Sequence, residues 1–393
     1  MTSRLEELIA ELCPNGVEYK KVKDTYLRIK GTPITASKMK EIASEDGEVR
    51  IFAGGKTVIN AHESDIPRAN ITRVPAVLVQ SRGVIDAVYY DKPFTFKNEM
   101  WAYTSNNPIS VKFLYYLLKN NIQYFRDAAS GMGSLPQISL HVTEDFEIPV
   151  PPLEIQSEIV RILDTFTEIT AELTENLTAE LTARKKQYEY YRDTLLTFND
   201  NNPLHSLISH YCPNGVEYKK IGDIADYEQP TKYIVKSTKY DDSFATPVLT
   251  AGQSFILGYT DELDNIYLAS KDNPVIIFDD FTGAIQWVDF SFKVKSSAMK
   301  MITAKPNVLI RYLYHWMALL GFSSSEHKRL WISTYSNFEI PVPPLEVQRQ
   351  IVQILDRFDA LCNDLTQGLP AEIEARRKQY EYYRDKLLTF KRA

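Results

Sequence analysis

At 393 residues, with 44% apolar and 24% charged side chains, the chain is globular in composition and too long for one ordinary core, so two or more domains are expected. Its 45 basic against 51 acidic residues give a net charge of −6, which excludes a uniformly basic nucleic-acid coat while leaving room for a local basic face. Cys13, Cys212 and Cys362 are too few for a disulfide framework, and apolar runs such as Ala76 to Val79 are far too short for a membrane span.

Met1 to Leu12 mixes charge with Leu and Ile in the manner of an amphipathic helix and lacks the apolar stretch of a secretion signal. A reducing, cytoplasmic setting is therefore expected. Cys13-Pro14-Asn15-Gly16-Val17-Glu18-Tyr19-Lys20-Lys21 follows, and it returns as Cys212-Pro213-Asn214-Gly215-Val216-Glu217-Tyr218-Lys219-Lys220. A second block, Phe146 to Phe198, returns as Phe338 to Phe390 with about two thirds of its positions identical. Two copies about two hundred residues apart are too few and too long for a solenoid. They describe a duplicated pair of domains.

Between the repeated blocks, Lys23 to Asp145 and Gly222 to Asn337 share only anchors, among them Phe52-Ala53-Gly54-Gly55 against Thr250-Ala251-Gly252-Gln253. Each insert carries short β-rich runs, Ala76 to Gln80 and Val84 to Tyr90 in the first, Val275 to Phe278 and Ile285 to Phe292 in the second. One amphipathic helix closes each, over Ile109 to Phe125 and Asn307 to Leu320. The inserts thus read as mixed α/β domains on one frame with two different surfaces.

From Leu153 the positions Ile159, Leu163, Phe166, Leu173, Leu177, Leu181, Tyr188, Tyr191, Leu195 and Phe198 recur at steps of three, four or seven, one face of a long helix. Pro151-Pro152 starts it, and Asn199-Asp200-Asn201-Asn202-Pro203 stops it. The second copy has the same stripe, broken at Gly368-Leu369-Pro370, where a kink or restart is expected. Two such stripes bury each other most simply as an antiparallel pair about a pseudo-twofold axis.

The first insert carries a small basic excess and the second is near neutral. Basic residues cluster at Lys20, Lys21, Lys23, Arg28, Lys30, Lys38 and Lys40, and at Lys293, Lys295, Lys300, Lys305, Lys328 and Arg329. Polar groups able to meet base edges or phosphates stand among them. Taken singly, each cluster also reads as an ordinary solvated face. No phosphate loop, methyltransferase loop or zinc spacing occurs; Asn106-Asn107-Pro108 and Gly131-Met132-Gly133-Ser134 read as turns, and Asp261-Glu262-Asp264 and Asp279-Asp280 as surface loops rather than metal ligands. No catalytic residue, metal or cofactor is assigned.

The arrangement resembles the specificity subunit of type I restriction-modification systems over essentially the whole chain. The residues that carry the resemblance are Cys13 to Lys21, Ile148 to Glu154 and Ala183 to Asp193 with their second copies, together with Asp279-Asp280-Phe281-Thr282 and Val288-Asp289-Phe290 through Met299. It implies two target recognition domains, residues 1–152 and 199–344, and two spacer helices, 153–198 and 345–393, forming a coiled coil. By that resemblance each domain reads one part of a split double-stranded DNA sequence, and the helices fix the gap. The helices also dock two methyltransferase subunits, to which restriction and translocase subunits add, with no catalysis by this chain. The expected DNA contacts are Lys30, Ser81, Arg82, Lys97 and Asn98 in the first domain, and Lys293, Lys295, Ser296, Ser297, Lys328 and Arg329 in the second. The expected docking residues are Arg184, Lys185, Arg192, Arg376, Arg377 and Arg384. A methylation-only or type IIB-like complex, a DNA-modifying enzyme and a protein-only helical scaffold are the competing readings.

Overall fold

The computed structural model describes residues 3–54, 57–129, 135–250, 255–321, 329–363 and 368–393. These form two compact units, Met1–Asn176 with Ile373–Ala393, and Leu177–Glu372.

The first unit contains strands β1 (Tyr19–Lys21), β2 (Leu27–Ile29), β3 (Val49–Phe52), β4 (Val58–Ala61), β5 (Ala76–Gln80), β6 (Asp86–Tyr90), β7 (Phe94–Phe96), β8 (Trp101–Thr104) and β9 (Glu147–Pro149). They make a four-stranded sheet ordered β2-β8-β5-β6, a three-stranded sheet β4-β3-β7 and the pair β1-β9. The second unit repeats this with β10 (Tyr218–Lys220), β11 (Ala225–Glu228), β12 (Thr246–Leu249), β13 (Ile256–Thr260), β14 (Val275–Asp279), β15 (Ile285–Val288), β16 (Lys293–Val294), β17 (Met299–Ala304) and β18 (Glu339–Pro341). Its sheets are β11-β17-β14-β15, β13-β12-β16 and β10-β18. Both three-stranded sheets contain a parallel pair, β3 with β7 and β12 with β16.

The central strands explain the sheets. Every residue of β5 and of β14 is buried, because each strand is covered on both faces, and such strands read as unbroken apolar runs rather than alternating ones. The helices of the first unit are α1 (Ser3–Leu12), α2 (Val22–Thr25), α3 (Ala36–Ile42), α4 (Pro108–Asn120), α5 (Ile122–Asp127) and α6 (Leu140–Glu144). The expected helix Ile109 to Phe125 is thus two, separated at Asn121. Asn107 is a cap and not a plain turn residue: its Oδ1 accepts the Ile109 N–H at 2.8 Å, with Pro108 at the first position.

α7 runs unbroken for 43 residues, Leu153–Leu195. Its residues up to Asn176 belong to the first unit and the remainder to the second. The second unit continues with α8 (His205–Tyr211), α9 (Ile221–Ile224), α10 (Ile310–Leu320), α11 (Leu330–Ser333) and α12 (Leu345–Asn363). α13 (Leu369–Leu388) restarts with Pro370 as its second residue, where the pyrrolidine costs no hydrogen bond. From Ile373 onward it lies in the first unit.

Each unit therefore has its own antiparallel helix seam. In the first, Phe166 of α7 meets Tyr383 of α13 edge to face at 6.0 Å, and Thr167 Oγ1 lies 3.0 Å from the Tyr380 hydroxyl. In the second, Tyr191 of α7 stacks on Phe358 of α12 at 5.0 Å. Of the stripe legible in the sequence, Ile159, Leu163 and Leu195 are buried, while Phe166, Leu173, Leu177, Leu181, Tyr188 and Tyr191 are half-buried. Among the described residues no helix is long and apolar enough to cross a membrane.

Candidate functional site

At the end of the first unit's main sheet where β5 finishes and β8 begins, four segments converge. The turn after β7 donates the Lys97 N–H to the Phe52 carbonyl at 2.9 Å. Glu99 then gathers its neighbours: its carboxylate accepts the Gly54 N–H at 3.0 Å and pairs with the Lys97 ammonium at 3.1 Å, while its carbonyl accepts the Ser81 hydroxyl. Burial opposes the charged form of Glu99, yet Lys97, Gly54 and the nearby Arg82 together hold its carboxyl below the ordinary value. The loop after β5 is tied to the segment before α6 by Ile138 N–H on the Ser81 carbonyl at 3.0 Å and Gly83 N–H on the Pro136 carbonyl at 2.9 Å.

The second unit builds the same end with other side chains. The Lys295 N–H meets the Leu249 carbonyl at 2.9 Å, as Lys97 meets Phe52, and the Leu330 N–H meets the Asp280 carbonyl at 2.8 Å, as Ile138 meets Ser81. Lys97 and Lys295 thus hold one structural position, and so do Gln137 and Arg329. The sequence anchor that sets Phe52 against Thr250 is thus out by one residue, because the inserts share too few residues to fix the register.

Of the expected DNA contacts, Lys30, Arg82, Asn98, Lys295, Ser296, Ser297 and Arg329 are exposed. Lys295 also lies 5.8 Å from the Tyr240 ring centroid. Lys97 is largely covered by its pairing with Glu99.

Two expected contacts must be withdrawn. Ser81 is buried and spends its hydroxyl on Glu99. Lys293 has a side chain 0% exposed, 2.9 Å from the Glu262 carboxylate, and donates to the Asp264 carbonyl at 2.7 Å. It occupies the place of buried Thr95, which bonds the Asn70 carbonyl at 2.9 Å, so it holds the interior of its own unit. Lys328 lies outside the described residues.

The acidic pair is likewise not a surface loop. Asp279 and Asp280 are buried; Asp279 Oδ1 accepts the Phe281 N–H at 2.8 Å, and Asp280 Oδ1 accepts the Trp331 N–H at 2.9 Å. Asp280 Oδ2 stands 3.1 Å from the fully buried Lys300 ammonium, a close ion pair rather than a well-directed hydrogen bond. Glu262 is held by Lys293 and by two backbone N–H groups, those of Lys236 and Ser237. No group of three or more potential metal ligands forms among the described residues.

The first basic cluster is mostly neutralised where it stands. Lys21 and Lys23 both pair with Asp145, whose carboxyl they pull down to about 2, and Arg28 pairs with Glu144.

On the long helices, Lys185 is exposed, while Arg184 bonds Gln187 and Glu180. Arg376 donates to Gln379, and Arg377 is held by Glu374 and Glu381. Arg192 and Arg384 are mostly covered. Arg192 pairs with Asp193 beside the Tyr188 ring, and Arg384 donates to Asn120 Oδ1 at 2.7 Å beside Tyr380.

The seams also contain groups that the helical periodicity did not single out. In the second unit His315 is fully buried, its Nδ1 3.1 Å from the Tyr188 hydroxyl and its Nε2 2.9 Å from Asp356 Oδ1. Arg311 lies between the Trp287 and Tyr314 rings, with centroids at 4.6 and 4.7 Å, and its guanidinium meets Asp356 and Asp359.

Residues 14–183 and 213–375 match the family model described as the type I restriction modification DNA specificity domain. The specificity subunit of the type I enzymes EcoR124I and EcoR124II from Escherichia coli is 54% identical over 187 residues, 45% of this chain and 45% of that protein. This chain thus matches less than half the length of that relative. A Haemophilus influenzae protein named as a type I restriction enzyme specificity subunit is 32% identical over 312 residues, 76% of this chain and 77% of that protein. Among solved structures, the type I S subunit of M. genitalium superposes with a TM-score of 0.54 at 16% identity, covering 95% of this chain and 97% of the other. A chain from a structural study of type I system assembly gives a TM-score of 0.57 at 14% identity, covering 95% and 98%. At such identities the likeness is one of fold.

Proposed function

The chain belongs to the type I restriction-modification DNA specificity family, and on that footing we propose that each of its two units reads one half of an asymmetric, split duplex sequence. What carries the reading is that one end of both main sheets is built from equivalent segments that share a lysine, Lys97 or Lys295, and then differ, with Asn98 against Ser296 and Gln137 against Arg329. A shared frame with different fingertips suits an asymmetric target. Identical units would favour a palindrome.

In this proposal Lys30, Arg82, Lys97 and Asn98 face DNA from the first unit, and Lys295, Ser296, Ser297 and Arg329 from the second. Lysine, arginine and asparagine supply the donors that read base edges or hold phosphates. Residues 1–152 and 199–344 act as the reading domains, and 153–198 and 345–393 as the spacer. Joining two weak readers through one helix makes the second contact intramolecular, so that spacing becomes part of specificity. Two methyltransferase subunits dock on the exposed faces of the spacer around Arg184, Lys185, Arg376 and Arg377, followed by restriction and translocase subunits. Those partners supply catalysis and much of the phosphate neutralisation that a chain of net charge −6 lacks. The assembly works in the cytoplasm.

The test is to map methylated bases in cells whose only copy of this chain carries a foreign insert in place of Lys23 to Asp145. One half of the recognised sequence changes and the other is kept. A change in both halves, or in neither, refutes the reading. Within the native chain, Arg82→Ala relaxes selectivity in the first half alone, by about 1–3 kcal/mol in binding of the methyltransferase complex to duplex DNA.

A further inference from the structure

Gly16 and Gly215 hold the same place in the two copies of the Cys-Pro-Asn-Gly-Val-Glu-Tyr repeat, both left-handed with φ of 107° and 90°. Their neighbours differ. In the first unit, Lys391–Ala393 lies along the repeat as an added parallel strand: the Val17 N–H meets the Lys391 carbonyl at 2.8 Å, and the Ala393 N–H meets the Val17 carbonyl at 3.1 Å. The Arg392 guanidinium sits 4.3 Å from the Tyr19 ring centroid and pairs with Glu147, and the Tyr19 hydroxyl donates to the Phe390 carbonyl at 3.1 Å. A Cβ on Gly16 would fall 2.7 Å from the Arg392 carbonyl carbon. Backbone lies directly against backbone, and Val17 is 3% exposed.

The second unit repeats every element of this receptor. Gly215, Val216, Tyr218 and Glu339 replace Gly16, Val17, Tyr19 and Glu147 without a change of residue type. Here no described residue occupies it. Among the described residues nothing lies within 4 Å of a Cβ on Gly215, and Tyr218 is 58% exposed. The Val216 N–H and carbonyl and the Glu339 carboxylate have no partner among the described residues.

Chain continuity explains the difference. The residues after Phe198 that correspond to Lys391–Ala393 must turn at once toward α8. Asn202 locks that turn, its Nδ2 donating to the Leu195 and Thr197 carbonyls and its Oδ1 accepting the Leu204 N–H at 2.8 Å. Among the described residues no local segment fills the edge.

We propose that this edge of the second unit docks an extended basic segment of a partner polypeptide, with an arginine placed between Tyr218 and Glu339 as Arg392 is placed between Tyr19 and Glu147. Three features define the ligand. The exposed backbone groups of Val216 pair with an extended chain. The Tyr218 face takes a guanidinium. Glu339 closes a charge-assisted hydrogen bond to it.

A fluorescent synthetic peptide with the sequence Leu388–Ala393 serves as the probe, titrated onto the full chain. It binds one equivalent; Glu339→Lys weakens binding at least tenfold, and so does replacing the peptide's arginine by alanine. Glu147→Lys leaves that affinity unchanged, and a chain lacking Lys391–Ala393 takes up a second equivalent. No binding to the full chain, or binding indifferent to Glu339→Lys, overturns the proposal. Self-association of the full chain that vanishes on removal of Lys391–Ala393 also overturns it, by giving the edge to a second copy rather than to a partner.

Discussion

Where the first unit places Lys112, Tyr116 and Asp164 at its helix seam, the second places Arg311, His315 and Asp356 at the matching positions. In the first, the Tyr116 hydroxyl donates to Asp164 at 2.5 Å and Lys112 pairs with the same carboxylate at 2.7 Å. In the second, an imidazole bridges Tyr188 and Asp356, and an arginine clamps two aspartates between two aromatic faces. The frame tolerates exchange of a phenol for an imidazole because both close the same chain of hydrogen bonds onto the helix carboxylate. Their responses to pH differ. Burial drives the Tyr116 phenol far up, away from any working pH, and drives the His315 imidazole down against the opposing pull of Asp356.

The largest expected contrast lies where β5 and β14 end. Lys300→Met leaves Asp280 buried without its cation and costs about 3–5 kcal/mol in urea unfolding, because an uncompensated charge stays inside. Asp280→Ser with Lys300→Trp, which installs the residues found at matching register in the first unit, costs much less. Equal losses in the single and double variants would show that the ion pair has no such role.

A smaller contrast separates the cations of the two seams. Arg311→Lys costs about 1–2 kcal/mol, since an ammonium cannot serve two carboxylates and stack between Trp287 and Tyr314. Lys112→Arg at the partly exposed Asp164 pair changes stability by under about 0.5 kcal/mol. Thermal or urea unfolding of the two variants compares them directly; a reversed order breaks the contrast.

The smallest is the pH dependence. A histidine whose folded value is depressed binds its proton more readily when unfolded, so stability is complete above the unfolded value of about 6.5 and falls as pH drops below it. One proton gives a slope of up to about 1.4 kcal/mol per pH unit. Asp356, held below the ordinary carboxylate value by His315 and Arg311 although burial opposes this, stays ionised through that window. Urea midpoints at pH 7.5 and 5.5 differ for the native chain, and the part contributed by this seam disappears in His315→Gln. An unchanged difference in that variant assigns the acid sensitivity elsewhere.

Much of the frame was legible because it is written in runs. Ala76 to Gln80 is a strand with those limits since all five side chains are buried, and the stripe from Ile159 to Leu195 finds partners because it is long and regular. The turns carrying Lys97-Asn98 and Lys295-Ser296 were picked out by composition, but their equivalence became visible only through the backbone bonds to Phe52 and Leu249. Lys293 was misread because a lysine between Phe292 and Val294 carries no local sign of burial; the carboxylate that neutralises it is Glu262, on another strand's flank. Ser81 resembled a surface hydroxyl beside Arg82 for the same reason. His315 left no trace either, since an imidazole inside the stripe Tyr312, Leu313 and Met317 looks like a gap in the apolar pattern until Asp356, far along the chain, is placed beside it.

The division of the chain sets a timetable for synthesis. The second unit is one contiguous stretch, Leu177–Glu372, whereas the first is completed only by residues 373–393. At about 5–20 residues per second a ribosome needs about 10–40 s between finishing Asn176 and reaching Ile373. Throughout that interval Phe166 lacks Tyr383, and the nascent N-terminal half offers an open greasy flank to chaperones. A premature stop shortly before Ile373 would then be most damaging not to the unit in which it falls but to the one made first.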